Sequence, residues 1–287
     1  MSISPESRVS PKRRTGRSVI VLSASSDIGS AACRRWLARG WQVCGTYRTR
    51  ARAVEELERL GAALAPCDLS IIGSIREACD RLQRLCPAWD ALIVCPGTQE
   101  PIGCFRDTDF DEWDASIQVN FTSQLRLVHA LLPSRRRGGE REPLVLFFAG
   151  GGTNNAVVNY SAYTVSKIAL IKMCELLDAE IPDTRFAIVG PGWVKGKIHE
   201  ATLRAGARAG ANYQRTLEKL AGNECTPMAR VLDCCEWVMD APRAVVSGRN
   251  FAVAHDEWGT PELEQALRSD PDLYKLRRDG NARLVKR

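Results

Sequence analysis

The feature that most constrains this chain is the regular return of short, wholly apolar runs separated by longer amphipathic ones. Ser18, Val19, Ile20, Val21 and Leu22 form the first run, and a strand apolar at nearly every position is one buried on both faces. A helix is expected over 28–39, where Ile28, Ala31, Ala32, Trp36 and Leu37 share one side and Gly40 closes the last turn. The alternation then repeats. Strands are expected at 42–47, 62–66, 91–95, 144–148 and 185–189, with helices at 51–60, 72–85, 110–132 and 160–179. A last helix at 226–239, with Pro227 suited to its first turn, precedes a strand at 250–253.

Strands alternating with helices predict an α/β fold in which right-handed crossovers cover both faces of a parallel sheet. Seven strands without an internal repeat read as one doubly wound, Rossmann-type domain over 18–258. It is preceded by a basic tail at 1–17, read as disordered, and followed by an extension at 259–287. Ligands in such sheets bind beyond the carboxyl ends of the strands, where the strand order reverses. The loops after strands one, two, four, five and six are therefore the places to look for chemistry.

Composition excludes more than it assigns. The net charge is +6, but residues 11–17 supply four cations and Arg277, Arg278, Arg283, Lys286 and Arg287 five more, leaving a body near neutrality. No basic stripe with interleaved aromatics marks a nucleic-acid surface. The N-terminal run reads as a solvated tail, with a nucleic-acid or membrane arm as the alternative. Eleven cysteines, none in a Cys-x-x-Cys pair, fit free thiols in a reducing, cytoplasmic setting. No apolar stretch approaches the roughly 20 residues of a membrane span. Three widely spaced histidines, His129, His199 and His255, offer no metal-ligand pattern, so no metal is expected.

Two loops carry polar residues in suggestive order. The first strand runs into Ser23, Ala24, Ser25, Ser26, Asp27, Ile28 and Gly29. Small residues there would let backbone approach a pyrophosphate at a helix N-terminus, although from these residues alone a plain capped turn, with Asp27 able to cap the helix, is the better reading. At the start of the helix after strand five, Tyr163 and Lys167 stand four apart and so share a face. A phenol with pKa of about 10 is a poor acid–base group near neutrality, and a neighbouring ammonium is expected to lower it.

Taken together, these marks resemble a short-chain dehydrogenase/reductase over roughly residues 18–254. The others are Asp68 after strand three, Val94-Cys95-Pro96-Gly97 after strand four, Asn120 in the long helix, and Pro191-Gly192-Trp193-Val194 after strand six. The resemblance implies that Tyr163 exchanges a proton with a substrate oxygen while hydride passes to or from a nicotinamide. Lys167 would bind the nicotinamide ribose and lower the phenol pKa, and Asn120 would hold a water for proton relay. Ser23, Ser25, Ser26, Asp27 and Ile28 would line the pyrophosphate, Asp68 and Leu69 the adenine, and Cys95 and Gly97 the ribose. Pro191, Gly192 and Val194 would face the nicotinamide. At the end of strand two an acidic residue would select NAD(H); here Tyr47 is followed by Arg48, with Arg50 and Arg52 close by, which favours NADP(H) over NAD(H).

The chain also departs from the family pattern. The serine usual thirteen residues before the tyrosine is Gly150, within Phe148-Ala149-Gly150-Gly151-Gly152-Thr153. Thr153, Asn154 or backbone amides of the glycine run are candidates for its hydrogen-bonding role, with Thr153 taken as the catalytic stand-in. The glycine pattern keeps only Gly29, with Ser23 and Asp27 at the other positions, and the threonine usual after the Pro-Gly turn is Gly196. The expected function is NADP(H)-dependent interconversion of a carbonyl and a secondary alcohol on a polar small molecule. The alternative is a cofactor-binding protein with epimerase, cyclase or scaffold function. Residues 195–225 correspond to a substrate lid, whose Lys195, Lys197, Arg204, Arg208 and Arg215 are candidates to meet a phosphate or carboxylate. By the same resemblance, homodimers or homotetramers would form through the helices at 110–132 and 160–179.

Overall fold

A computed structural model describes residues 16–278, so most of the basic tail and residues 279–287 lie outside the described residues. Seven strands form one parallel sheet: β1 (Ser18–Leu22), β2 (Gln42–Tyr47), β3 (Ala63–Pro66), β4 (Ala91–Val94), β5 (Leu144–Phe148), β6 (Arg185–Gly190) and β7 (Arg249–Ala252). Their order is β3-β2-β1-β4-β5-β6-β7, so the direction of winding reverses beside β1. This is the doubly wound sheet that the apolar runs predict.

Alternation along each strand divides the core. Val19, Val21, Ile93, Leu146 and Val189 face α1 (Asp27–Ala38) and, later in the chain, α9 (Met228–Asp240). Ile20, Leu22, Val94, Phe147 and Ile188 face α3 (Ile72–Leu85), α5 (Ser123–Leu131) and α6 (Ser161–Glu180). The remaining helices are α2 (Arg52–Arg59), α4 (Phe110–Ile117), α7 (Glu200–Ala205), α8 (Ala211–Ala221), α10 (Arg243–Val246) and α11 (Pro261–Ser269).

Two elements differ from expectation. The helix expected at 110–132 is interrupted: α4 passes into a π turn, Gln118–Thr122, before α5, and the Ser123 amide reaches Gln118 O rather than the usual fourth carbonyl back. The extra residue turns Asn120, fully buried, toward the loop after β4. The first helix is capped by Ser26, not Asp27; Ser26 Oγ accepts the Gly29 amide at 3.1 Å, which leaves the Asp27 carboxylate available elsewhere.

The segment after residue 258 is integral to the domain. Leu267 of α11 is fully buried in one core layer, and Tyr274 packs edge-on against Phe251 of β7. Leu276 reaches the layer on the opposite face, so the tail wraps the sheet edge. The outward amides of β7 are taken on the way: Asn250 N–H donates to Tyr274 O at 3.0 Å and Ala252 N–H to an Asp256 carboxylate oxygen at 2.7 Å. Among the described residues no helix is long and apolar enough to cross a membrane.

Candidate active site

The loop after β1 is tightly self-bonded. Ser23 adopts a left-handed backbone (φ 60°), donates its amide to Thr46 Oγ1 at 2.9 Å and accepts both the amide and the hydroxyl of Ser26. An added Cβ at Gly29 would stand 2.3 Å from Ser23 O, so only glycine fits. A second enabling glycine escaped the sequence reading. A Cβ at Gly45 in β2 would stand 2.4 Å from Val21 O, and only its absence lets the chain after β1 lie close. Ser25 and Ile28 are half-buried along this loop. Asp27 turns away from the helix end, accepting the backbone amide of Lys197 at 2.7 Å.

Around the carboxyl ends of β4 and β5, the polar side chains converge. Asn120 Oδ1 accepts the Thr98 amide at 2.8 Å, and Nδ2 donates to Thr98 O at 2.8 Å and Ser116 Oγ at 3.1 Å. Lys167, 3% exposed, donates to Phe148 O at 3.0 Å and more weakly to Pro96 O at 3.4 Å. Between them Gly97 is bare: a Cβ there would lie 3.7 Å from Lys167 Nζ and 3.8 Å from Asn120 Oδ1. Gln124, which sequence reasoning missed, donates to Pro96 O at 3.1 Å and anchors the loop where polar side chains are absent from Val94 to Gly97. An amphipathic helix hides such a residue, because glutamine at a buried position carries no motif.

The outer end of the crevice sorts three arginines. Arg50 pairs with Glu58 at 2.6 Å and Arg52 with Glu56 at 2.9 Å. Arg48 is exposed without a carboxylate in ion-pair range among the described residues. Hydrogen bonds from Ser70 hold the Asp68 carboxyl below its usual range, and the field of Arg48 adds to this. Leu69 O accepts the Ser123 hydroxyl at 2.7 Å, fixing that loop to α5.

After β6, Pro191 leads into Gly192, left-handed at φ 73°, where a Cβ would meet Thr226 Oγ1 at 2.3 Å. Trp193 stacks on His199 with centroids 3.7 Å apart, and Val194 O pairs with His199 Nε2 at 2.9 Å. Two of the lid cations have defined surroundings. Arg204 pairs with Glu100 and Glu200, while Arg208 borders a cavity of about 470 Å3 that also takes in Asp107, Asp109 and Glu112 but not Tyr163 or Lys167.

Residues 17–205 match the family described as short chain dehydrogenase. The chain belongs to that family. It is 30% identical over 192 residues to the human "Dehydrogenase/reductase SDR family member 2, mitochondrial", and 28% identical over 182 residues to a "Fatty acyl-CoA reductase" of Acinetobacter baylyi. These matches cover 62% and 60% of this chain, and the chain spans only 65% and 60% of those two relatives. Its fold also matches an actinorhodin polyketide ketoreductase variant solved with NADPH, at a TM-score of 0.71 and 18% identity, covering 83% of this chain and 95% of the other.

In this member of the family the missing serine is not a vacancy. A Cβ at Gly150 would lie 2.7 Å from Tyr163 Cε1, 2.8 Å from its hydroxyl and 2.9 Å from Cζ, so the phenol ring fills that space. Thr153 is exposed and makes no side-chain hydrogen bond among the described residues. Nor does the ammonium act on the phenol as expected. Lys167 Nζ lies 5.9 Å from the ring centroid, and burial dominates, pushing the Tyr163 pKa up to about 12. Burial likewise brings Lys167 down to about 8.

The lysine shift has a measurable sign. Its folded pKa lies below its ordinary 10.5, so between pH 8 and 10.5 the unfolded chain binds more protons and stability rises with pH. Relative to Lys167→Met, the wild type is expected to gain about 2–3 kcal/mol across that window. Urea unfolding of both proteins from pH 7 to 10.5 measures it, and the buried thiols common to both cancel. Parallel pH profiles would refute a charged Lys167 held against burial.

Proposed function

We propose that this dehydrogenase interconverts a carbonyl and a secondary alcohol on a polar small molecule, using NADP(H) and Tyr163 as acid–base residue. The observation that carries the reading is the seating of Tyr163 and Lys167 at the carboxyl end of β5, beside bare Gly97. A dinucleotide laid across the carboxyl ends of the strands would meet these loops in turn. Ser25, Ser26 and Ile28 would flank the pyrophosphate, Asp68 and Leu69 the adenine, Cys95 and Gly97 the ribose, and Pro191, Gly192 and Val194 the nicotinamide. A bound nicotinamide supplies or accepts the hydride.

The chain's own residues handle the proton. In reduction the Tyr163 O–H donates to the substrate oxygen as that oxygen gains charge; in oxidation the phenolate takes it back. Lys167 N–H groups donate to Phe148 O and, more weakly, to Pro96 O, which leaves a third donor for a ligand beside Gly97. At neutral pH the phenol is in the protonated, donor form that reduction needs, although burial, by pushing its pKa up to about 12, makes it a weak acid.

Arg48 supports the choice of NADP(H), since its guanidinium is available to a 2′-phosphate. The preference of initial rates for NADPH over NADH is expected to be about tenfold or more, and to shrink in Arg48→Ala. A preference for NADH in the wild type would overturn this cofactor assignment. Exposed Phe110 on α4 and Val165 and Leu176 on α6 support self-association through these helices.

A further inference from the structure

Asp27 and Gly196 are a matched pair. They stand on opposite sides of the crevice, 169 positions apart, one at the start of α1 and one after β6. Gly196 has an extended backbone (φ −170°, ψ 170°) that any residue adopts, so conformation does not require glycine there. Space does: a Cβ at 196 would lie 2.5 Å from Asp27 Oδ2 and 3.2 Å from its Cγ. The carboxylate fills the seat of the missing side chain and takes the Lys197 amide at 2.7 Å.

This contact joins the loop after β1 to the root of the lid. Lys197 opens the 3-10 turn Lys197–His199, which leads directly into α7. On α7, Ala201 and Ala205 pack with Ile102 and Tyr160, and Thr202 Oγ1 bonds both the Tyr160 hydroxyl at 2.8 Å and Gln99 at 3.1 Å. Anything that frees the Lys197 amide therefore loosens the near end of a segment docked at its far end. His199 adds to the near end, stacked on Trp193 and bonded to Val194 O.

In a doubly wound sheet the pyrophosphate of a dinucleotide lies at the N-terminus of the helix after β1. Asp27 is the first residue of that helix, and its carboxylate has the charge sign of a pyrophosphate. We propose that Asp27 is an internal competitor of the dinucleotide: it clasps the two walls of the crevice through Lys197, and cofactor entry requires its release. Asp27 thus sets cofactor affinity and ties cofactor entry to the lid. The inference rests on the NADP(H) reading above.

Two measurements test it. Hydrogen exchange at the Lys197 amide in the cofactor-free protein reads the clasp, and fluorescence titration with NADPH reads the competition. Asp27→Ala is expected to speed exchange at Lys197 and to tighten NADPH binding, each by about tenfold or more, because a like charge is removed from the anion's seat. Asp27→Asn, which keeps an acceptor without the charge, is expected to tighten NADPH binding while retaining most of the amide protection. Gly196→Ala attacks the clasp from the other side by expelling the carboxylate: it is expected to speed exchange at Lys197 as Asp27→Ala does, while the retained charge keeps the gain in NADPH affinity smaller. Equal NADPH affinity in wild type and all three variants would overturn the inference and leave the cofactor reading standing. Absence of NADPH binding in every one of them would overturn both.

Discussion

Replacing Tyr163 by phenylalanine is expected to lower NADPH-dependent reduction of any carbonyl compound the wild type accepts by about 10²–10⁴-fold, the range typical of a lost general acid. Little else should change. The phenol hydroxyl has no hydrogen-bond partner among the described residues, and the ring keeps its place against Gly150. NADPH affinity and the thermal midpoint are therefore expected to stay close to wild type, which separates lost chemistry from lost structure. As a counterpart, Gly150→Ser would restore a hydroxyl usual in the family, yet its Cβ would lie within 3 Å of three phenol atoms. It should reduce turnover by displacing the ring. Full reductase activity in Tyr163→Phe would place the proton donor elsewhere.

The largest stability effect is expected at Arg249. Its side chain is buried against the wrapped C-terminal segment and donates to Ala244 O and Val245 O at 2.7 Å, Asp270 O at 3.0 Å and Leu273 O at 3.1 Å, with Leu267 O also in range. One guanidinium thus gathers the ends of α10 and α11 and the chain beyond them. Its planar fork suits five carbonyls in a way a lysine ammonium does not. Arg249→Ala leaves those acceptors unpaired, at about 1–3 kcal/mol for each that water cannot reach. A net loss of about 3–5 kcal/mol is expected in urea unfolding, a large part of the roughly 5–15 kcal/mol that holds a domain together. Proteolysis after residue 258 should accelerate in parallel. A loss below about 1 kcal/mol would show that water replaces the guanidinium.

The layout was legible because strand burial and helix amphipathicity are written locally. Val19 to Leu22, Leu144 to Phe148 and Phe186 to Val189 each announce a central strand, and a parallel sheet covered on both faces follows from alternation. That Lys167, Asn120 and Gly97 come together could be read in the same way, from their family spacing. What could not be read is what space does between distant positions. Gly150 reads as a lost serine until the tyrosine ring is seen in its place. Asp27 reads as a helix cap until the bare Gly196 across the crevice shows where its carboxylate goes. The expected fall in the phenol pKa failed for a related reason. Four-residue spacing sets the face a lysine shares, but burial sets which charge survives there.

The two margins of the sheet are finished differently, and this bears on how copies of the chain can meet. At one margin β3 is only four residues long and ends on Pro66, which has no amide to offer. At the other, Tyr274 and Asp256 occupy the outward amides of β7 before any neighbour can. Neither margin invites a foreign strand, so extending the sheet from molecule to molecule, the usual route to fibrous aggregates, is discouraged at both ends. Cutting the chain after residue 258 would free the Asn250 amide while Asp256 still holds that of Ala252, reopening part of the β7 margin and making the wrapped segment a safeguard of solubility as well as a contributor to stability.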